Sequence, residues 1–229
     1  GLEMDMEGYE KAMEEQKSKA MVSWKGSGEK KVPPFYKEFL QKSPATKFEG
    51  YSSIKLEAKV LTILKDGAQL DSAKAGDNIE ILVDRTPFYG ESGGQVGDSG
   101  KAFNENVQIE LLDAVKPLPE LIVHKAKIKT GSIATGDSLM MLVDKTTRND
   151  TALNHSATHL LHATLKEVLG EHIKQAGSLV APDRLRFDFS HDAPVTNQEL
   201  EQIETILANI HHIYAVDIAS FNQFPCIIR

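Results

Sequence analysis

A change of hydrophobic period near residue 144 limits this chain more than any other feature. Upstream of it, short β-branched runs recur at 53–64, 78–84, 106–115, 121–128 and 138–143. Turn residues stand between them: Lys65-Asp66-Gly67, Ala75-Gly76-Asp77, prolines within 117–119, Thr130-Gly131 and Thr135-Gly136-Asp137. Short strands at this spacing, with an Asp-Gly hairpin signal, predict a small antiparallel β-barrel.

Downstream the spacing turns helical. Asp150 or Thr151 offers an N-cap, the helix runs to about Leu169, and Gly170 reads as its stop. Two strands follow at 173–180 and 185–189, joined by Ala181-Pro182-Asp183. Thr196, with Glu199 in the capping-box place, opens a second helix to about His212, with a stripe of Leu200, Ile203, Ile206, Leu207 and Ile210. His211-His212 read as the end of that helix. The fold class expected is α+β, a small antiparallel barrel subdomain followed by an α+β subdomain. Three segments result: connector helix and linker at 1–45, barrel at 46–143, and α+β part at 144–229. In the first, Tyr9, Met13, Ala20, Met21 and Trp24 mark an amphipathic helix over residues 2–25. Gly26-Ser27-Gly28 and Pro33-Pro34 break it, and a short helical piece follows at 34–41.

Composition removes several classes. No apolar run approaches the ~20 residues of a membrane span, and the acidic start is no secretory or transit peptide. A single cysteine, Cys226, rules out an internal disulfide framework and suits a reducing compartment such as the cytoplasm. A net charge of −7 fits poorly with a stand-alone nucleic-acid binder and predicts low RNA affinity for this piece alone. A first residue of Gly rather than Met points to a piece of a longer protein.

Two motifs carry chemistry. Within the β region, Phe88-Tyr89-Gly90-Glu91-Ser92-Gly93-Gly94-Gln95-Val96-Gly97-Asp98-Ser99-Gly100 holds five glycines in eleven residues. It fits no phosphate-loop pattern, and a strand rather than a helix is expected after it. Two readings stand: a wide corner loop of the barrel, or a pocket lining from which Gln95 projects an amide. The second motif is Asn154-His155-Ser156-Ala157-Thr158-His159-Leu160-Leu161-His162. On a helix, residues four apart share a face, so His155 and His159 can close on one metal ion; alternatively they are partly buried polar residues with satisfied hydrogen bonds. Ser156 stands where a metalloprotease helix carries its general-base Glu, so that reading is poor.

These motifs, with Gly177-Ser178 and Arg186-Phe187-Asp188-Phe189 after them, resemble the editing region of alanyl-tRNA synthetases, in order and spacing over roughly residues 50–210. The resemblance implies hydrolysis of serine or glycine wrongly esterified to tRNA(Ala), within a larger alanine–tRNA ligase that uses ATP. It implies a pocket between a barrel and an α+β subdomain of the threonyl/alanyl editing type, and tRNA(Ala), through its acceptor end, as partner, with no membrane and no DNA. It implies Zn2+ held by His155 and His159 and by a later Cys-x-x-x-His, with Gln95 as a catalytic pocket residue from the barrel side and Gly93, Gly94 and Thr158 beside the substrate. His162 is not a ligand in this scheme; it orients water or packs. The sequence departs in one respect: Cys226 has Arg229 three residues on, and no later Cys-x-x-x-His is present. Two of four ligands are therefore expected, and a non-catalytic module binding the acceptor end is the alternative.

Overall fold

The computed structural model describes residues 32–214, with side chains through Asn209. The expected helix over 2–25, Cys226 and the side chains of His211 and His212 lie outside the described residues. The chain divides into two compact units, Gly1–Pro34 and Phe35–Arg229. Apart from Pro34 itself, every described strand and helix belongs to the second unit.

The barrel is present and closed. Six strands pair antiparallel around it in the order β2 (Lys55–Lys65), β5 (Asn78–Val83), β9 (Leu121–Ala134), β8 (Val107–Leu118), β7 (Gly100–Phe103) and β10 (Ser138–Val143), and β10 pairs back with β2. Inward and outward side chains alternate along the strands, as on β10. The inward set fills the interior: Ile63, Ile81, Ile109, Leu111, Ile128, Leu139 and Met141 are essentially inaccessible to solvent. Closure needs bent strands. Register shifts interrupt the β2–β5 pairing between Val60 and Thr62, and the β8–β9 pairing at three places.

Several strands extend beyond the sequence expectation. β8 runs through Pro117, and the turn falls at Pro119 and Glu120. Gly131 is a turn signal in the sequence, yet β9 passes through it and goes on to pair with β4 (Ser72–Lys74). Gly131 has φ +76, and a Cβ there would sit 1.7 Å from the Asn106 carbonyl oxygen. Glycine alone allows that close approach, so the strand bends instead of ending. β3 (Ala68–Leu70) and β4 are three residues each, too short to show a period, and the Asp66-Gly67 hairpin joins β2 to β3 with both residues at positive φ. The two-residue strands β1 (Lys47–Phe48) and β6 (Arg85–Thr86) pair in parallel.

Helix α1 (Pro34–Lys42) packs on the barrel, because buried Tyr36 donates its hydroxyl hydrogen to Glu80 Oε2 at 2.7 Å. Burial and the Glu80 carboxylate both raise the pKa of this phenol. The short helical piece expected at 34–41 is this helix.

The α+β part contains α2 (Lys145–Leu169), the hairpin β11 (Lys174–Val180) and β12 (Leu185–Ser190), and α3 (Asn197–Tyr214). Leu161 and Leu165 of α2 meet Ile173, Phe187 and Ile203 in a second small core. The capping box is in place at α3: the Glu199 carboxylate accepts from the Thr196 N–H and hydroxyl, and the Glu199 N–H donates to Thr196 Oγ1. Gly170 ends α2 at φ +115, as expected. The start of α2 differs from expectation. Asp144 is the N-cap, accepting from the Thr147 N–H at 3.0 Å, so the helix begins about six residues before Asp150. The extra turn brings Arg148 onto the helix, which matters for the site. Among the described residues no helix is long and apolar enough to cross a membrane.

Candidate functional site

The two sequence motifs come together in space. The glycine-rich segment leaves the barrel after Thr86 and returns to it at Gly100. At its tip, Ser92 and Gln95 exchange backbone hydrogen bonds of 3.2 and 3.0 Å around Gly93 and Gly94, both at positive φ. This tip docks on β11: Val180 N–H donates to Gly94 O at 2.8 Å, and Val96 N–H to Val180 O at 3.0 Å. The glycine-rich loop is therefore one more strand-like partner of the α+β part, and Gln95 is held at the junction.

Position 94 needs glycine twice over. Its φ is +85, and a Cβ there would stand 2.4 Å from Ser178 Oγ and 2.6 Å from Ser178 O. At Gly93, φ is +60 but nothing lies within 4 Å of the added atom. Gly93→Ala should therefore cost only the left-handed strain, ~1–2 kcal/mol. Gly94→Ala should cost clearly more in urea unfolding, because the β11 contact must open as well. Equal costs for the two variants would show that the docking seen here contributes nothing.

Gln95 Oε1 lies 2.8 Å from His155 Nδ1. A carbonyl oxygen only accepts, so Nδ1 carries the hydrogen and His155 Nε2 is left with its lone pair. That nitrogen is 3.0 Å from His159 Nε2, and the two ring centroids are 4.9 Å apart. Both imidazoles are exposed. The arrangement has the form of a half-built metal site. Two Nε2 atoms converge to 3.0 Å, a little under the ~3.3 Å between adjacent tetrahedral ligands at ~2.0–2.1 Å from one zinc, and an amide on the far nitrogen of one ring fixes its tautomer. The donors fit the metal that the resemblance implies, as two of its ligands. Among the described residues no third His, Cys, Asp or Glu joins them.

Of the other expected residues, Gly93 and Gly94 form the tip beside Gln95, and Gly93 O faces Ser178 Oγ at 3.5 Å. Thr158 is buried and its hydroxyl donates to Asn154 O at 2.8 Å, so it is spent within its own helix. His162 packs against Phe187, ring centroids 5.0 Å apart, and its buried Nε2 has no partner among the described residues.

The structure adds residues that the sequence reading passed over. Arg148, one turn into α2, forms an ion pair with buried Asp98 at the end of the glycine-rich segment, through Nη2 to Oδ2 and through Nε to Oδ1 at 3.1 Å. It also donates to Gly50 O at 3.0 Å and to Pro87 O at 2.6 Å. Asp98 in turn accepts from the Tyr89 N–H. Asn154, the neighbour of His155, donates to Ala181 O at 2.7 Å and ties α2 to the β11–β12 turn. Gln175 Nε2 donates to Ser178 Oγ at 3.1 Å beside the loop tip. No spacing rule links Asp98 to a residue fifty positions away; only Asn154, flush against the His-x-x-x-His motif, carried a local signal. A further pair, His172 and His191, stands at the open end of the hairpin, Nε2 to Nδ1 2.9 Å.

The family model described as tRNA synthetases class II (A) matches residues 1–147, which includes the barrel and its glycine-rich loop. An alanine–tRNA ligase of Rhodopseudomonas palustris is 46% identical over 210 residues, 92% of this chain and 24% of that protein. One of Anaeromyxobacter dehalogenans is 47% identical over 204 residues, 89% of this chain and 22% of that protein. One of Parvibaculum lavamentivorans is 44% identical over 211 residues, again 92% of this chain and 24% of the relative. The chain thus spans about a quarter of the length of these relatives, each an alanine–tRNA ligase, and it belongs to the class II (A) tRNA synthetases.

Proposed function

We propose that this chain is the editing part of an alanine–tRNA ligase, which hydrolyses serine or glycine wrongly esterified to tRNA(Ala). The observation that carries the reading is the Gln95–His155 hydrogen bond at 2.8 Å, which joins the barrel loop to the His-x-x-x-His helix and leaves two Nε2 atoms converging. The chemistry of alanine selection supplies the need. One methylene decides only ~1–3 kcal/mol, and an added hydroxyl is poorly excluded, so a second hydrolytic sieve is called for.

Zn2+ would be held by His155 and His159 together with ligands outside the described residues, and would supply polarisation of a water or of the substrate's own polar groups. The protein's share is positional. Gln95 keeps the His155 hydrogen on Nδ1 and so keeps Nε2 available. Asp98, Arg148 and Asn154 hold the loop, the helix and the hairpin turn in mutual register. Water adds to the ester carbonyl, the bond from that carbon to the ribose oxygen breaks, and one proton of the water ends on the released hydroxyl. An aminoacyl ester is activated, so a positioned water and a stabilised oxyanion suffice.

A second reading keeps the RNA and drops the chemistry: a non-catalytic module for the acceptor end, favoured by the lack of a third ligand among the described residues. Two measurements decide. Elemental analysis of a chain extended through a downstream Cys-x-x-x-His should find near one zinc per chain, lost in His155→Ala and reduced in Gln95→Ala. A chain extended through a downstream Cys-x-x-x-His should deacylate Ser-tRNA(Ala), and His155→Ala should abolish this. Failure of the extended chain to deacylate would end the hydrolase reading and leave the binding module.

A further inference from the structure

We propose that Tyr51 is a stacking platform for a base in the single-stranded 3′ end of the RNA whose terminal ester reaches Gln95 and His155; the inference rests on the proposed function. Among the described residues Tyr51 is the most exposed large apolar side chain, at 91%. A lone surface aromatic means little by itself. This one is built in. The Ser52 and Ser53 N–H groups and the Ser52 hydroxyl all bond Glu49 O, which closes a firm turn around Tyr51. Gly50 O, directly before it, accepts from Arg148, the residue that also grips Asp98 of the glycine-rich loop. The Tyr51 ring stands edge-to-face on Phe48, centroids 5.1 Å apart, and Phe48 stands on Tyr89 at 6.1 Å. The Tyr89 hydroxyl donates to Ser92 O at 3.3 Å, at the foot of the turn that carries Gln95. A continuous aromatic ladder therefore runs from solvent to the candidate site, and its outer rung is pre-oriented and open.

The chemistry of such a rung suits a nucleobase. Every base has a π face, so stacking is tolerant of sequence. A rigid ring that is already exposed loses little freedom on binding.

The test uses the whole chain and a short fluorescein-labelled single-stranded RNA ending in CCA, followed by anisotropy at low salt. Tyr51→Ala should weaken binding roughly 5- to 100-fold, and Tyr51→Phe should stay within about twofold of wild type. Tyr51→Leu, apolar but without a π face, should fall with alanine. An abasic nucleotide at the engaged position should weaken wild-type binding and make it insensitive to Tyr51→Ala. Because the side chain is exposed, the thermal melts of all three variants should overlay that of wild type. Binding by Tyr51→Ala within twofold of wild type would overturn the inference and leave the proposed function standing. No binding of any RNA by the wild-type chain would also overturn the inference, and deacylation by the extended chain then decides the proposed function by itself.

Discussion

Asp98→Ala should destabilise the protein by about 3–5 kcal/mol, the largest single-site effect expected outside the barrel core. The substitution leaves the Arg148 guanidinium largely enclosed, its side chain 20% exposed, beside a position that no longer carries charge. At this chain length such a loss lowers the melting temperature by roughly 10 °C. Asp98→Asn keeps one acceptor for Arg148 and should cost less. The double variant Asp98→Leu with Arg148→Met should recover part of the loss, since an apolar pair of similar size replaces the ion pair. Recovery should be incomplete, because Gly50 O and Pro87 O also lose a donor, at about 1 kcal/mol each. Urea unfolding of the four proteins checks this. A cost below about 1 kcal/mol for Asp98→Ala would mean that the pair behaves like an exposed surface ion pair. The site should respond too. The loop that presents Gln95 to His155 is fastened to α2 at Asp98, so the Gln95–His155 contact should loosen with Asp98→Ala even at temperatures where the protein stays folded.

This clamp also shows where sequence reasoning stops. The barrel was legible because strands that close around one core must alternate, and β2, β5, β8, β9 and β10 are long enough to show it. The hairpin at Asp66-Gly67, the stop at Gly170 and the capping box at Thr196 and Glu199 were legible because each is a local event within about four residues. The start of α2 was misplaced because Asp144 and Asp150 are equally good caps locally; the choice is made by the Asp144 N–H bond to Ser99 O and by Arg148, both reaching across the fold. Likewise β7 was hidden at the tail of the glycine-rich segment, where its pairing with β8 and β10 gives Gly100 a strand conformation that its own preference does not. At the candidate site, the His155 and His159 pair and the glycine-rich loop were visible as motifs. That Gln95 meets His155, and that Thr158 turns its hydroxyl back to Asn154, are facts of three-dimensional register.

The remaining large effect is one of pH, and it begins inside the barrel. His124 has no exposed surface, and burial lowers its pKa from the usual value to about 4, a bond to the Ile81 carbonyl offsetting part of this. The hydrogen bonds suit the neutral ring. His124 Nδ1 donates to Ile81 O at 3.1 Å, and Nε2 accepts from Thr86 Oγ1 at 2.8 Å, while the Thr86 oxygen accepts from the Phe88 N–H. A proton on Nε2 would make the Thr86 hydroxyl turn its hydrogen away and accept instead. Between about pH 6.5 and 4 the unfolded chain therefore binds a proton that the folded chain refuses, and stability falls as pH drops through that window. The loss levels off below the folded pKa and amounts to about 3 kcal/mol, a large share of the ~5–15 kcal/mol that holds a domain together. His124→Gln should be less stable at pH 7 yet show a flatter profile from pH 6.5 to 4. The difference between the two curves isolates His124, since every other group is common to both proteins. Parallel curves would mean that His124 takes up its proton within the folded barrel. Thr86 and Phe88 open the glycine-rich segment, so the same protonation should loosen Gln95 from His155 at a higher pH than global unfolding.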